Sequence, residues 1–287
     1  MIEQIARKLD FPEEAIAVLS ECEKKIEEKS AEKLFLAQKS IFTPGDNEYL
    51  DILEKIAEEN GTDRYVSDMV FLLRCVEPLH ERYREAGYDD ELFYETVYDL
   101  KYKLYECKAV YGVWGTFVTF WYKEFCLLNI FKIGRMQYER RTYPFEDREG
   151  VVKNGDLILS CHIPSSGPMP VEDIKDSLRR AYKFYEKDHK DGKLVVACFS
   201  WLLYPPLFED YSESTNIKKF YNLFNIIDYK DNEKNGDFWR VFGVKYSPEA
   251  MERVTVDNSL KRKVYEHLKA GGNMGYGVGI ITVDENY

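Results

Sequence analysis

The spacing of apolar side chains changes its period once, near residue 129, and this limits the possible folds more than any other feature of the chain. Upstream, apolar residues recur every three or four positions among acidic ones, as in helices that bury one stripe. Downstream, the apolar runs are short, β-branched or aromatic, and bounded by Gly, Pro, Asn or Asp, as in strands. With 287 residues the chain is about twice the usual domain size, which leaves room for one domain on each side of the change. The predicted class is α+β. Residues 1–128 form a helical bundle, and residues 129–287 form a mixed α/β domain on a single sheet.

In the first part, Pro12 can open a helix, and the stretches SAEKLFLAQKSIF, NEYLDILEKIAEEN and DRYVSDMVFLLRCVEPLHERYREAG keep helical spacing. Gly61 and Gly87 stand where helix C-terminal caps belong, and Asp63 is a predicted N-cap. The stretch ELFYETVYDLKYKLYECKAVYG places Leu92, Phe93, Val97, Leu100, Leu104 and Tyr105 on one broad face.

In the second part, FKIGRMQYERRTY, DLILSCHIP, KLVVACFSWLL, DFWRVFGVKY and GYGVGIITVD read as strands. Helical patterns lie between them: VEDIKDSLRRAYKFYEKD, STNIKKFYNLF with Ser214 or Thr215 as cap, and DNSLKRKVYEHLKAGG with Asp257 as cap and Gly271 as terminator. Segments 156–163, 171–187 and 193–200 have the order and spacing of a βαβ crossover, expected to be right-handed. The glycine-rich AGGNMGYGVGI follows a helix and precedes a strand. A phosphate loop needs the reverse order, so this stretch reads as a cap and turn.

Charge excludes one class of partner. Residues 1–128 carry 16 basic and 27 acidic side chains, whereas residues 129–287 carry 24 of each, so the whole net charge of −11 lies in the first part. A nucleic acid would be repelled there and not attracted elsewhere. Six scattered cysteines without a CxxC pair, and only four histidines, argue against a metal site. The apolar runs are too short to span a bilayer and the start MIEQIARKLDF is charged, so no membrane role and a cytoplasmic location with reduced thiols are expected.

Three places could carry chemistry. The loop HIPSSGPMP leads from a strand into a helix, where backbone N–H groups favour anions such as a diphosphate. Ser165, Ser166 and Gly167 would supply amides, hydroxyls and room for close approach. Pro164, Pro168 and Pro170 remove donors, so an ordinary tight connection is the other reading. Glu139 could serve as general base for an amine if it faces a cleft, or could pair with Arg135 or Arg141 on a solvated face. His162 closes its strand beside the same loop, as a base or as a structural side chain. In SWLLYPPLFEDY, Trp201 and Tyr204 could wall a ligand site or anchor the core. Cys161 and Cys198 read as packing residues, which makes a covalent thiol mechanism a poor expectation.

Taken in order, IGRMQYE (133–139), CHIPSSGP (161–168), DSLRRAYKF (176–184), CFSWLLYPPL (198–207) and STNIKKFYNLF (214–224) resemble the bacterial acyltransferase-domain-containing proteins. These have an N-terminal helical N-acyltransferase domain and a C-terminal domain similar to the GNAT N-acetyltransferases. The resemblance spans nearly the whole chain and implies a curved mixed sheet in the second domain. It also implies acyl-CoA or acetyl-CoA as co-substrate, entering between two splayed strands, and no metal. A small-molecule amine or peptide would be the acceptor, with direct attack in a ternary complex and Glu139 or His162 taking the proton. Amides around Ser165, Ser166 and Gly167 would hold the diphosphate, and strand amides at Cys198, Ser200 and Trp201 would polarise the carbonyl. The usual signature of an Arg or Gln followed by spaced glycines is absent from the loop. The alternative is therefore a non-catalytic ligand- or protein-binding module that keeps the fold.

Overall fold

The computed structural model of the chain describes residues 2–144 and 152–287. The chain divides into two compact units, Met1–Phe131 and Lys132–Tyr287.

The first unit is helical: α1 (Ile2–Lys8), α2 (Glu13–Ile41), α3 (Glu48–Asn60), α4 (Arg64–Glu85), α5 (Asp90–Val97), α6 (Asp99–Tyr111) and α7 (Tyr122–Cys126). The ends follow from local chemistry. The Asp63 carboxylate accepts from the Tyr65 and Val66 amides at 2.8 and 3.3 Å and starts α4, while Gly61 ends α3 at φ +57°. The two patterns expected as separate helices over 13–41 are one helix bent at Ser30, which has φ −134°. Inside α4, Pro78 has no N–H for the carbonyl of Arg74. Gln38 of α2 donates to that oxygen instead at 2.8 Å, so the missing bond is replaced by a tie between helices. Phe93, Val97, Leu100 and Leu104 are buried as their spacing predicts, whereas Tyr105 is exposed.

The second unit is built on a sheet whose first strand, β1 (Ile130–Ile133), carries the chain from one unit into the next. It continues with β2 (Met136–Thr142), β3 (Leu157–His162), α8 (Val171–Phe184), β4 (Leu194–Ser200), α9 (Pro205–Phe208), α10 (Asn216–Tyr221), β5 (Asn225–Asn232), α11 (Phe238–Phe242), α12 (Pro248–Arg253), α13 (Ser259–Lys269) and β6 (Met274–Val283). The order across the sheet is β1-β2-β3-β4-β6-β5. Strands β3 and β4 are parallel, joined through α8, and the pairs β2–β3, β4–β6 and β5–β6 are antiparallel.

Helix α8 is fixed to the sheet by Ser177. Its hydroxyl donates to the Ile133 carbonyl and accepts from the Met136 amide at 3.2 Å and from the Tyr138 hydroxyl at 2.9 Å. Ile174, Leu178 and Ala181 line the same buried stripe. The opposite face of the sheet carries an apolar cluster of Tyr143, Val152, Ile158, Ala197 and Ile280.

Four sequence expectations need correction. The strand expected over 131–143 is broken by a two-residue turn at Gly134 and Arg135, with Gly134 at φ +63°. DFWRVFGVKY contains a helix, α11, whose Phe238 and Phe242 rings stack at 4.4 Å one turn apart and which Gly243 ends at φ +73°. The sixth strand is instead β5, a polar edge strand that pairs only with β6. The cap of α13 is Asn258, which accepts from the Lys261 amide at 2.9 Å, while Asp257 pairs with Lys261.

Candidate functional site

The parallel ladder between β3 and β4 sets Leu159, Ser160 and Cys161 against Val196, Ala197 and Cys198. Beyond it the two strands keep different neighbours. His162 lies opposite Gln137 of β2, and Phe199 and Ser200 lie opposite Val278 and Gly277 of β6. The parallel ladder thus ends at Cys161 and Cys198, at the C-terminal ends of the two parallel strands. In open α/β sheets this is the place where ligands enter.

Close packing on β6 fixes the segment that follows β4. Gly275, Gly277 and Gly279 fall on one face of β6, and a Cβ at Gly277 would stand 1.9 Å from the Leu203 carbonyl oxygen. The turn Trp201–Leu203 thus rests directly on the backbone of β6, which bare glycine alone allows. The Ser200 hydroxyl accepts from the Leu202 amide at 3.2 Å and caps that turn. Trp201 is half-buried with its ring 5.7 Å from Phe208, so its side chain packs against the segment that follows β4.

Glu139 and His162 come together. The imidazole Nε2 lies 2.9 Å from Glu139 Oε2, and both side chains keep some exposure, 22% for His162 and 15% for Glu139. The pairing register explains the contact, because Gln137 faces His162 and Glu139 faces Ser160 in alternate rungs, all four on one face. Arg141, offered by the sequence as a partner for Glu139, lies with its guanidinium 5.7 Å from the centre of the Phe199 ring.

Arg135, the other offered partner, holds the loop between β3 and α8. Its Nε, Nη1 and Nη2 donate to the carbonyls of Pro168, Pro164 and Gly167 at 3.0, 3.1 and 2.9 Å. In a trans peptide the N–H points away from the preceding C=O. The guanidinium therefore turns the Ser165 and Met169 amides to the side of the loop opposite itself. Gly167 adopts φ +99°, Ser165 and Gly167 are exposed, and Ser166 is half-buried. Helix α8 opens without a side-chain cap, and Glu172 and Asp173 lie in its first turn.

Cys161 and Cys198 face each other across the last rung of the parallel ladder, both buried. They lie on the face opposite Glu139 and His162, because side chains alternate along each strand. Its hydrogen bond to Cys161, with burial, holds the Cys198 thiol well above its usual range, so it is not a ready nucleophile.

Three residues of this region escaped the sequence reading: Arg135 as the clamp of the loop, and Gln137 and Ser160 as polar groups on the face of Glu139. The signal for the last two is a polar residue inside an otherwise apolar strand, in MQYE and LILSCH. Arg135 carries no such signal until the turn at Gly134 is known. Among the described residues no group of three or more His, Cys, Asp or Glu side chains could hold a metal ion. No helix among them is long and apolar enough to cross a membrane.

Two family models match the chain. The model for the N-acyltransferase N-terminal domain covers residues 1–126, and the model for the GNAT-like C-terminal domain covers residues 130–281. No curated protein sequence matches it. Among solved structures, the chain is similar to an acyltransferase in complex with decanoyl-CoA and teicoplanin, with 21% identity, a TM-score of 0.75 and coverage of 97% of this chain and 86% of that one. It is also similar to an acyltransferase mutant in complex with octanoyl-CoA, with 20% identity, a TM-score of 0.72 and coverage of 98% and 87%. A third likeness is to an acyltransferase in complex with CoA and 10C-teicoplanin, with 20% identity, a TM-score of 0.67 and coverage of 98% of both chains. These likenesses establish the α+β fold across both units. With more than half its length matched by one model and most of the remainder by the other, the chain belongs to the family defined by the GNAT-like C-terminal domain, here preceded by an N-acyltransferase N-terminal domain.

Proposed function

We propose that the chain is an acyl-CoA-dependent N-acyltransferase, with a helical domain over 1–128 and the acyl-transfer domain over 129–287. One observation carries the reading. The parallel ladder ends at Cys161 and Cys198, next to the strand end that carries the paired Glu139 and His162, in a family named for acyl transfer. The structural relatives hold acyl-CoA or CoA. The thioester arm would lie against the C-terminal ends of β3 and β4, and its carbonyl would meet backbone amides of the Cys198–Trp201 stretch. The diphosphate would meet the loop amides around Ser165, Ser166 and Gly167 that Arg135 orients. The amine nitrogen attacks the thioester carbon, its proton passes to the His162–Glu139 pair, and the C–S bond breaks as the amide forms. The thiolate of CoA leaves and is protonated. The acceptor is a small-molecule or peptide amine. The reaction belongs to the cytoplasm, where CoA thioesters are made and six buried free thiols stay reduced.

A specific feature favours the rival reading of a non-catalytic module: Glu172 and Asp173 put two carboxylates at the start of α8, beside the diphosphate position. Titration calorimetry with decanoyl-CoA and acetyl-CoA, paired with an assay of thiol release in the presence of simple amines, separates the two. Micromolar binding with amine-dependent release supports the enzyme. Absence of binding at millimolar ligand ends it, and binding without release supports the module.

A further inference from the structure

Gln137 and Ser160 stand out among the polar side chains of the second unit. Gln137 is fully buried, and among the described residues neither its Oε1 nor its Nε2 has a hydrogen-bond partner. Ser160 is 1% exposed, and its Oγ is also without a partner among them. Buried amides and hydroxyls are nearly always bonded, because desolvating them without compensation is costly. The two are not scattered. Gln137 lies directly opposite His162, and Ser160 directly opposite Glu139, in alternate rungs of the β2–β3 ladder, with Tyr138 and Cys161 between them on the other face. Three orphaned polar atoms therefore flank the Glu139–His162 pair, on the same face.

We infer that Gln137 and Ser160 recognise the acceptor, and that the acceptor amine carries a neutral donor–acceptor group, a primary carboxamide or hydroxyls, on the carbon next to it. This rests on the acyl-transfer reading for the identity of the reacting group. A carboxamide side chain offers one donor and one acceptor in a plane, and it is matched by a group that offers the complementary two. A plain alkylamine would leave all three atoms unpaired. An amino acid with a free carboxylate would set a second negative charge beside Glu139, where two carboxylates repel. The choice of neutral polar acceptors is thus written on β2 and β3.

The probes are glycinamide, glycine and propylamine, with decanoyl-CoA as donor and the full chain as enzyme. Wild type is expected to favour glycinamide over both others by at least about tenfold in kcat/KM. Gln137→Met is expected to abolish that preference through KM, and Ser160→Ala to weaken it. Removing an unsatisfied buried amide should also raise the melting temperature of the ligand-free protein in Gln137→Met, whereas a structural role for Gln137 predicts a fall. A binding readout needs no turnover: the side-chain NH2 resonances of Gln137, assigned by their loss in Gln137→Met, should move with glycinamide and not with propylamine. A preference retained in Gln137→Met, or resonances that stay still with glycinamide, overturns the inference. If the resonances move while no amine is acylated, acyl transfer fails and the recognition site stands. If amines are acylated while the resonances stay still, the reverse holds.

Discussion

The proposed proton-accepting group is a pair and not a single side chain. Glu139 Oε2 lies 2.9 Å from His162 Nε2, so a proton arriving at the imidazole meets a carboxylate that stabilises the cation formed. Replacing Glu139 by Gln keeps the shape and removes the charge. Thiol release with an amine acceptor should then slow by about 10²–10³-fold, the usual worth of a positioned base. Calorimetry should find acyl-CoA binding within about twofold of wild type, and a slowed reaction with weakened binding would relocate Glu139 to the donor site. A second prediction concerns Asp68 in the first unit. Its carboxyl is bonded to Arg64 and Thr119, yet burial outweighs both and raises its pKa to about 6. Between pH 4 and 6 the folded chain holds more protons at this site than the unfolded one, so the contribution of Asp68 to stability falls as pH rises. Urea unfolding of wild type and Asp68→Asn should show their stability difference shifting against wild type by about 2 kcal/mol across that range. A difference independent of pH would contradict the buried charge.

At the scale of elements, the site depends on how one turn and one loop are held. Arg135 lies in the turn at Gly134 that joins β1 to β2 and donates to three carbonyls of the loop that leads into α8. Arg135→Met keeps much of the side-chain length and loses all five donors. It should weaken acyl-CoA binding by about tenfold or more, since misplaced amides lose much of their value to an anion. The rate at saturating donor should change little, and a fall in that rate with unchanged binding would place Arg135 elsewhere in the reaction. The helices and the β3–α8–β4 order were legible because their apolar periods run over many residues, as in α3 and α4. The turn at Gly134 was not, because β-type residues continue on both sides of it and one glycine alone marks it. β5 was hidden for a different reason. Its NIIDYKDN carries Asp, Lys and Asn because it is an edge, where polar residues protect against further pairing at the expense of strand propensity. The Glu139–His162 contact needed the antiparallel register, and sequence offers no rule for aligning two strands separated by the stretch from residue 143 to 156. Both residues were named as bases, but only the ladder makes them one group.

For the whole molecule the decisive quantity is the uneven charge. The net −11 lies entirely within residues 1–128, and residues 129–287 sum to zero. A CoA thioester is a polyanion and an amine below its pKa is a cation, so the two proposed substrates approach one field with opposite signs. At low salt the field slows the donor and draws the amine. The Debye length falls from about 30 Å at 0.01 M to about 8 Å at 0.15 M salt, which removes most of the long-range part. Raising NaCl over that range should therefore increase kcat/KM for acyl-CoA severalfold while decreasing it for a cationic amine such as propylamine. Opposed slopes in a single thiol-release assay cannot come from a general effect of salt on folding or on the chemical step, which would move both the same way. A donor slope that falls with salt would mean that local cations, Arg135 among them, dominate the field at the thioester site and that the acidic helical unit does not set the encounter.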